Sequence, residues 1–372
     1  MTAPIEELLP RATQLIQQGI QNGLHWGVQL FISQDFQPIV DAAIGEDAPG
    51  RPLSTETILP WLSAGKPITA AVILQRVELG QLNLDQPVSK IIPEFAAAGK
   101  EQITIKDLLT HIGALKPIAT GWPRRSWQEI IEKICTSGTR RDRGDGLRSA
   151  YDPARSWFIL GEILQRIDLQ ERSVDQIVRQ ELLEPLGMWD TWMVVPEERM
   201  EDIRPRLGHT YVSKEGVLSP AETNTELYCR HCAPGGSLRG PIRDLARFYE
   251  MMLRGGVSES GIPVLEAESI ALMTTRTRVG EFDATFQHTV DFGLGMIVNS
   301  NRYGAETVPY GFGRYASENS FGHGGSQSSI GFADPERKLV LTAVANGMPG
   351  DDLHNQRFRD IISAIYEDLK LV

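Results

Sequence analysis

Three cysteines in 372 residues, Cys135, Cys229 and Cys232, are too few for a disulfide framework. The pair in "CRHC" (229–232) has no second Cys/His pair to complete a four-ligand zinc site and no βαβ context for a redox motif. Both are read as free thiols near a loop, and neither a metal nor a cofactor is expected. Positive charge is also scarce: 37 Lys and Arg against 48 Asp and Glu give a net charge of −11. That excludes a general nucleic-acid binder, which needs a basic face to neutralise phosphates. The one arginine-rich run, "RRDRGDGLR" (140–148), is interrupted by aspartates and reads as a solvated loop. No stretch reaches the roughly 18 apolar residues of a membrane span. The opening "MTAPIEELLPRATQLIQQGIQNG" has no basic n-region or continuous apolar h-region. Its Leu8, Ile16 and Ile20 fall near helical spacing, so it reads as an amphipathic helix. The expectation is a soluble, cytoplasmic protein with neither nucleic acid nor membrane as partner; oligomeric state has no sequence signal.

What is present is an ordinary globular composition, 41% hydrophobic and 23% charged. The length allows two domains, or one with an insertion. "HWGVQLFIS" (25–33) and "QPIVDAAIG" (37–45) read as a strand pair. "PITAAVILQRVELG" (67–80) is a buried helix, apolar nearly all round and ended by Gly80. The middle, about 106–230, reads as helix-dominated with long loops, and "DLARFYEMMLRGG" (244–256) as a further helix. Strand character returns in "FGLGMIVNS" (292–300), "SSIGFADP" (328–335) and "KLVLTAVANG" (338–347), before a last helix, "NQRFRDIISAIYEDLKLV". The expected fold class is α+β: an antiparallel sheet from N- and C-terminal segments flanked by helices, plus a helical insertion domain. The expected boundaries are 1–105 with 233–372 for the discontinuous α/β domain and 106–232 for the helical one, with a site in the cleft between them.

The sharpest chemical signal is "WLSAGKPITA" (61–70). Ser63 and Lys66 are three apart at the start of the buried helix, which places both on one helix face near orphan N–H groups. Burial would lower the lysine pKa and let it act as a base toward the serine. Taken alone, the same residues read equally as a capping serine and a surface lysine. A P-loop is excluded, because Pro60 stands where its first glycine belongs and Pro67 where Ser or Thr belongs. A nucleophile elbow is absent, since neither Ser237 nor Ser326 has a glycine two residues later. The second signal is "FGHGGSQSSIGFADPERKLVL" (321–341). Paired glycines beside a strand let another backbone or a ligand come close, and a following N–H could serve an oxyanion. A glycine-rich hairpin with an incidental histidine is the plainer alternative.

With these landmarks in order, the chain resembles the serine β-lactamase-like superfamily: class C β-lactamases, DD-peptidases and family VIII carboxylesterases. The resemblance spans roughly 24–350. It rests on "SAGKPITAAVI" (63–73), "ELGQLNLDQPVSKIIPEF" (78–95), "ITIKDLLTHIGAL" (103–115), "YDPARSWFILGEIL" (151–164), "LLEPLGM" (182–188), "APGGSLRGPIRDLARF" (233–248) and "FGHGGSQSSIGFADP" (321–335). It implies a β-lactamase/transpeptidase-like fold, with Ser63 as acylated nucleophile, Lys66 as its base and Tyr151 as proton relay. It further implies backbone N–H groups of Ser63 and Ser326 as oxyanion hole, and substrate contacts at Pro153, His323, Gly324 and Gly325. A cationic Lys66 would bias Tyr151 toward phenolate. The chain departs from the pattern at one point, where Pro153 replaces an asparagine; His323 matches the position of the lysine in Lys-Thr-Gly, which is histidine in many esterase and peptidase members. Both weaken the case for β-lactams. The expected function is a serine hydrolase, a carboxylesterase or acyltransferase on small esters, acting through an acyl-serine. A D-amino-acid peptidase, amidase or weak β-lactamase is the alternative, and a non-catalytic ligand-binding protein is the reading from another class. Within "YDPARSW", Asp152 is expected to cap a helix that begins at Pro153, and Asp152–Arg155 to form a surface ion pair. Trp122, Trp127, Trp157, Tyr310 and Phe312 are candidates for an acyl pocket or for core.

Overall fold

The computed structural model describes residues 4–140 and 149–372. The arginine-rich run 140–148 therefore lies, after Arg140, outside the described residues. The first amphipathic pattern forms a short turn, Ile5–Leu8, and then helix α1, Pro10–Gln21. Pro10 divides them, because a proline is tolerated in a first helical turn and not in a helix interior.

Strands β1 (Gly27–Gln34), β2 (Gln37–Ala48) and β3 (Arg51–Pro52) form the first part of an antiparallel sheet. Helix α2 (Lys66–Glu78) follows, then α3 (Trp127–Thr136) and α4 (Arg155–Ile167). A hairpin of β4 (Thr210–Lys214) and β5 (Val217–Ala221) interrupts the part read as helix-dominated. Helix α5 is Ile242–Leu253. The chain then returns through β6 (Asp291–Phe292), β7 (Ile297–Val298), β8 (Phe321–Gly325), β9 (Ser329–Asp334), β10 (Leu339–Ala345) and β11 (Gly347–Met348). Helix α6, Asp351–Asp368, completes the fold. The main sheet runs β6-β7-β8-β9-β10-β1-β2-β3 and is antiparallel throughout. The N-terminal strand β1 and the C-terminal strand β10 pair at its centre, with Leu30 opposite Ala343. A smaller sheet, β11-β4-β5, lies apart from it.

The segment 292–300, expected as one strand, is instead a tight hairpin. Gly293 N–H bonds to Met296 O, and Gly295 has φ +75°, so the glycines turn the chain between β6 and β7.

Both faces of the sheet are covered, which explains why its central strands read as continuous apolar runs. Leu339, Leu341, Ala343 and Ala345 alternate onto one face, with Phe358, Ile362 and Ile365 of α6 and Ile16 of α1. Val340 and Val344 join the core of the other face, with Leu245, Phe248 and Tyr249 of α5. Asp368 of α6 accepts from the N–H groups of Arg11 and Ala12 at 3.0 and 3.1 Å. A residue from the far end of the chain thus satisfies the open start of α1, which has no side-chain cap of its own. Among the described residues, no helix is long and apolar enough to cross a membrane.

Candidate active site

The strand pair Leu59–Pro60 with Arg239–Gly240 delivers the chain to Trp61, whose N–H bonds to Leu238 O at 2.9 Å. Leu62 then adopts φ +51°, a left-handed conformation that costs an ordinary side chain free energy. This strained residue throws Ser63 into a single 3₁₀ turn, Leu62–Gly65, that feeds directly into α2. Pro67 takes an early position in the helix, where its missing N–H has no partner to lose. Ser63 is partly exposed, and Lys66 one turn on is fully buried.

Lys66 Nζ has three acceptors. It lies 2.9 Å from Ser63 Oγ, 2.8 Å from Pro153 O and 2.6 Å from Gly235 O. Two of these are carbonyls and can only accept. A neutral amine therefore spends both N–H groups on them and has its lone pair left for the Ser63 hydroxyl. Burial pushes the amine down from 10.5 to about 7, opposed by the Asp152 carboxylate. The rings of Trp157 and Tyr151, 5.2 and 5.5 Å from Nζ, offer their faces to the cationic form.

Tyr151 is fixed through its backbone. Its N–H donates to Asp283 Oδ2 at 2.8 Å, and its carbonyl accepts from Thr285 Oγ1 at 2.9 Å. The Asp283 carboxylate is held by Arg278 at 2.9 Å in a fully buried ion pair. The Tyr151 ring stacks on Phe286, 4.6 Å between centroids, and lies 4.6 Å from His111. His111 has φ +61°, and its carbonyl accepts from Ala150 N–H. Its Nδ1 accepts from Asp152 N–H at 3.0 Å, so the neutral ring carries its proton on Nε2. Burial, with the positive charge of Arg278 and Lys66, holds this imidazole neutral. The Tyr151 phenol is within hydrogen-bonding reach of Ser63. Burial pushes its pKa well up, more than that contact lowers it. The expected bias toward phenolate is thus overturned: desolvation outweighs the pull of a half-neutral lysine, and the group rests as a phenol.

Asp152 caps as expected, from a different offset. Its carboxylate accepts from the N–H groups of Ala154, Arg155 and Ser156, so α4 starts at Arg155 and Pro153 stays outside it. Its pair with Arg155 at 3.0 Å is buried, not on the surface. Burial would raise the carboxyl pKa, but Arg155 and the donated hydrogen bonds hold it low.

Strand β8 brings His323 beside this group. A Cβ on Gly325 would strike Trp61 O, and one on Gly324 would strike the Tyr310 ring. The paired glycines thus admit both the backbone that carries Ser63 and the aromatic wall of the site. His323 Nδ1 lies 2.7 Å from Gly324 O and must donate to it, which leaves Nε2 as a bare acceptor. That atom is buried and has no hydrogen-bond partner among the described residues. Burial and the nearby Lys66 lower the ring to about 3.

A cavity of about 260 Å³ opens over Ser63 and is lined by Tyr151, Pro153, His323, Gly324 and Ser326. The structure so gathers the residues that the sequence singled out, with Lys66 reached through Ser63 and Gly325 in the adjoining strand. Among the aromatic candidates, Tyr310 lines the cavity. Trp157 lies buried beside Lys66, Phe312 stacks in the core on Phe332, and Trp122 and Trp127 pack partly buried against the core. Cys229 is buried, its sulfur 3.0 Å from Arg239, and burial pushes its thiol and that of Cys232 up. Among the described residues, no group of three His, Cys, Asp or Glu side chains could hold a metal. Sequence reasoning missed His111 and Asp283. The first lay inside a quoted landmark, "THIG", without an assigned part; the second lay in a loop with no readable pattern.

The sequence pattern of the beta-lactamase family matches residues 12–365. Penicillin-binding protein 4 of Amycolatopsis lactamdurans is 25% identical over 342 residues, covering 90% of this chain and 84% of that protein. The esterase/beta-lactamase LipL of Mycobacterium tuberculosis is 24% identical over 349 residues, 86% of this chain and 77% of its own. A crystal structure of a family VIII carboxylesterase superposes with TM-score 0.78 at 21% identity, covering 97% of each chain.

Proposed function

The chain belongs to the beta-lactamase family, whose members are serine hydrolases, and from that premise we propose that it is a carboxylesterase or acyltransferase on small esters. The observation that carries this reading is the 2.9 Å contact between Ser63 Oγ and a buried lysine whose pKa falls to about 7. Near neutral pH a substantial share of Lys66 is a free amine aimed at the hydroxyl. The Ser63 proton passes to Nζ as Oγ attacks the ester carbonyl carbon. The carbonyl oxygen takes the negative charge, facing the backbone N–H groups of Ser63 and Ser326. Tyr151, a neutral phenol, gives its proton to the departing alkoxide and is re-protonated from the Lys66 ammonium. The alcohol leaves and an acyl-Ser63 ester remains. Water or a second alcohol then attacks that ester, its proton returning by the same groups to Ser63.

Two features favour esters over β-lactams. Pro153 has no side-chain amide to offer an acylamido group. His323 is neutral, so it exerts no cationic pull on a substrate carboxylate. A fluorophosphonate probe is expected to label Ser63, located by peptide mass; a folded protein left unlabelled there would overturn the hydrolase reading. Short-chain nitrophenyl esters are expected to turn over faster than a chromogenic cephalosporin, and the reverse order would make the protein a β-lactamase first.

A further inference from the structure

Each backbone donor that the proposed mechanism aims at the oxyanion lies in a four-residue turn. The first turn, 61–64, holds Ser63 and is closed by Ala64 N–H, which donates to Trp61 O at 3.1 Å. The second, 325–328, holds Ser326 and is closed by Ser328 N–H, which donates to Gly325 O at 3.1 Å. Both turns contain a left-handed residue other than glycine, Leu62 and Gln327, each at φ +51°. Ser329, the first residue of β9, joins the two. It is fully buried, and its Oγ–H donates to Trp61 O at 2.5 Å. It stands opposite Gly325 in the β8–β9 pair, and a Cβ on Gly325 would strike Ser329 Oγ and Trp61 O alike. The hydroxyl thus reaches from the strand that follows Ser326 to the carbonyl two residues before Ser63. That carbonyl belongs to the peptide whose orientation sets φ of Leu62. A flip of the 61–62 peptide would return Leu62 to a negative φ and release its strain. Trp61 is anchored elsewhere too, by its N–H on Leu238 O at 2.9 Å and its Nε1–H on Gly240 O at 3.1 Å. Neither of those bonds holds the carbonyl. Ala64 N–H holds it from within the turn, and Ser329 holds it from outside.

We infer that Ser329 is a positioning residue for acylation: its hydroxyl keeps Leu62 left-handed and so keeps Ser63 N–H aimed at the oxygen that Ser326 N–H also serves. The inference rests on the proposed acyl-Ser63 mechanism. It is tested with Ser329→Ala beside a control, Thr342→Val. The control removes another buried hydroxyl of the same sheet, which donates to Ile242 O at 3.0 Å and bonds to neither turn. For nitrophenyl butyrate, Ser329→Ala is expected to lower kcat about 30-fold while KM stays within about twofold. That is less than the roughly 10²–10³-fold loss on deleting a donor, because the N–H is displaced and not removed. Butaneboronic acid, which forms a tetrahedral adduct on Ser63 Oγ, should lose a similar factor in affinity. Butyramide, a ground-state analogue, should bind as before. Thr342→Val should match the wild type in all three measurements. A crystal structure of Ser329→Ala should show Leu62 at negative φ. Four results would each overturn the positioning role: unchanged kcat and boronate affinity in Ser329→Ala, an equal loss for boronate and amide, the same losses in Thr342→Val, or a still left-handed Leu62 in an impaired Ser329→Ala. In each case a wild type labelled at Ser63 by fluorophosphonate remains a serine hydrolase. A folded wild type left unlabelled there loses the hydrolase reading and the positioning role together.

Discussion

A Lys66→Met variant is expected to lose about four orders of magnitude in kcat/KM for a nitrophenyl ester while remaining folded. Methionine fills a similar volume but offers no lone pair to Ser63 and no donor to Pro153 O and Gly235 O. The wild-type rate should rise with pH through about 7 as the amine loses its proton, and that limb should vanish in the variant. Stability supplies a second reading of the same group. The amine titrates near 10.5 in the unfolded chain and near 7 in the fold. Between those values the unfolded state binds more protons, so wild-type stability rises with pH across that window. Below it the burial penalty is fully present, and above it the penalty is gone. Measured by urea unfolding, the stability of the wild type relative to the variant should climb by up to about 1.4 kcal/mol per pH unit from pH 7 upward. A flat difference would mean that Lys66 is not the buried amine described.

Tyr151→Phe is expected to separate proton relay from positioning. Phenylalanine keeps the stack on Phe286 and the contact with His111, and the backbone still hangs from Asp283 and Thr285. The variant should therefore fold. An alkyl ester, whose alkoxide cannot leave unprotonated, should lose about 10³-fold in kcat/KM. A nitrophenyl ester, whose leaving group departs without a proton, should lose far less. Equal losses on both substrates would show that the phenol only orients Ser63 and relays nothing.

The sheet was legible wherever local pattern and burial agree. β1, β9 and β10 lie between two covered faces, so their apolar runs could be read directly, and β2, largely exposed or half-buried, buries Val40 and Ile44 beside them. The β6–β7 hairpin was not, because its apolar residues continue through Gly293 and Gly295 without a polar break. The β4–β5 hairpin was lost among helices; its Val212 and Val217 are exposed and give little alternation. In the site, Ser63 and Lys66 were visible because one helical turn joins them. Tyr151 came from the resemblance, which also gave roles to the Ser326 and His323 of the glycine-rich strand. Asp283 touches Tyr151 across 132 positions in sequence, and His111 touches Asp152 across 41. No local rule reports pairs at such separations. The unpaired nitrogen of His323 could not be foreseen at all, because it follows from one ring rotation in β8.

Pro153 has a consequence for how this enzyme can change. Its carbonyl holds Lys66 while the residue itself lines the cavity. Gly235 holds the same amine, also through its main chain. Every amino acid has a carbonyl, so the acceptor at 153 is indifferent to which side chain stands there, whereas 235 is held to glycine because a Cβ would strike the buried Trp157. Position 153 is thus free to drift, in evolution or in a saturation library, and to re-shape what the cavity accepts while the proton-transfer pair stays in place. Selectivity and reactivity are wired to different atoms of one residue, which makes 153 the position from which new substrate ranges should be sought.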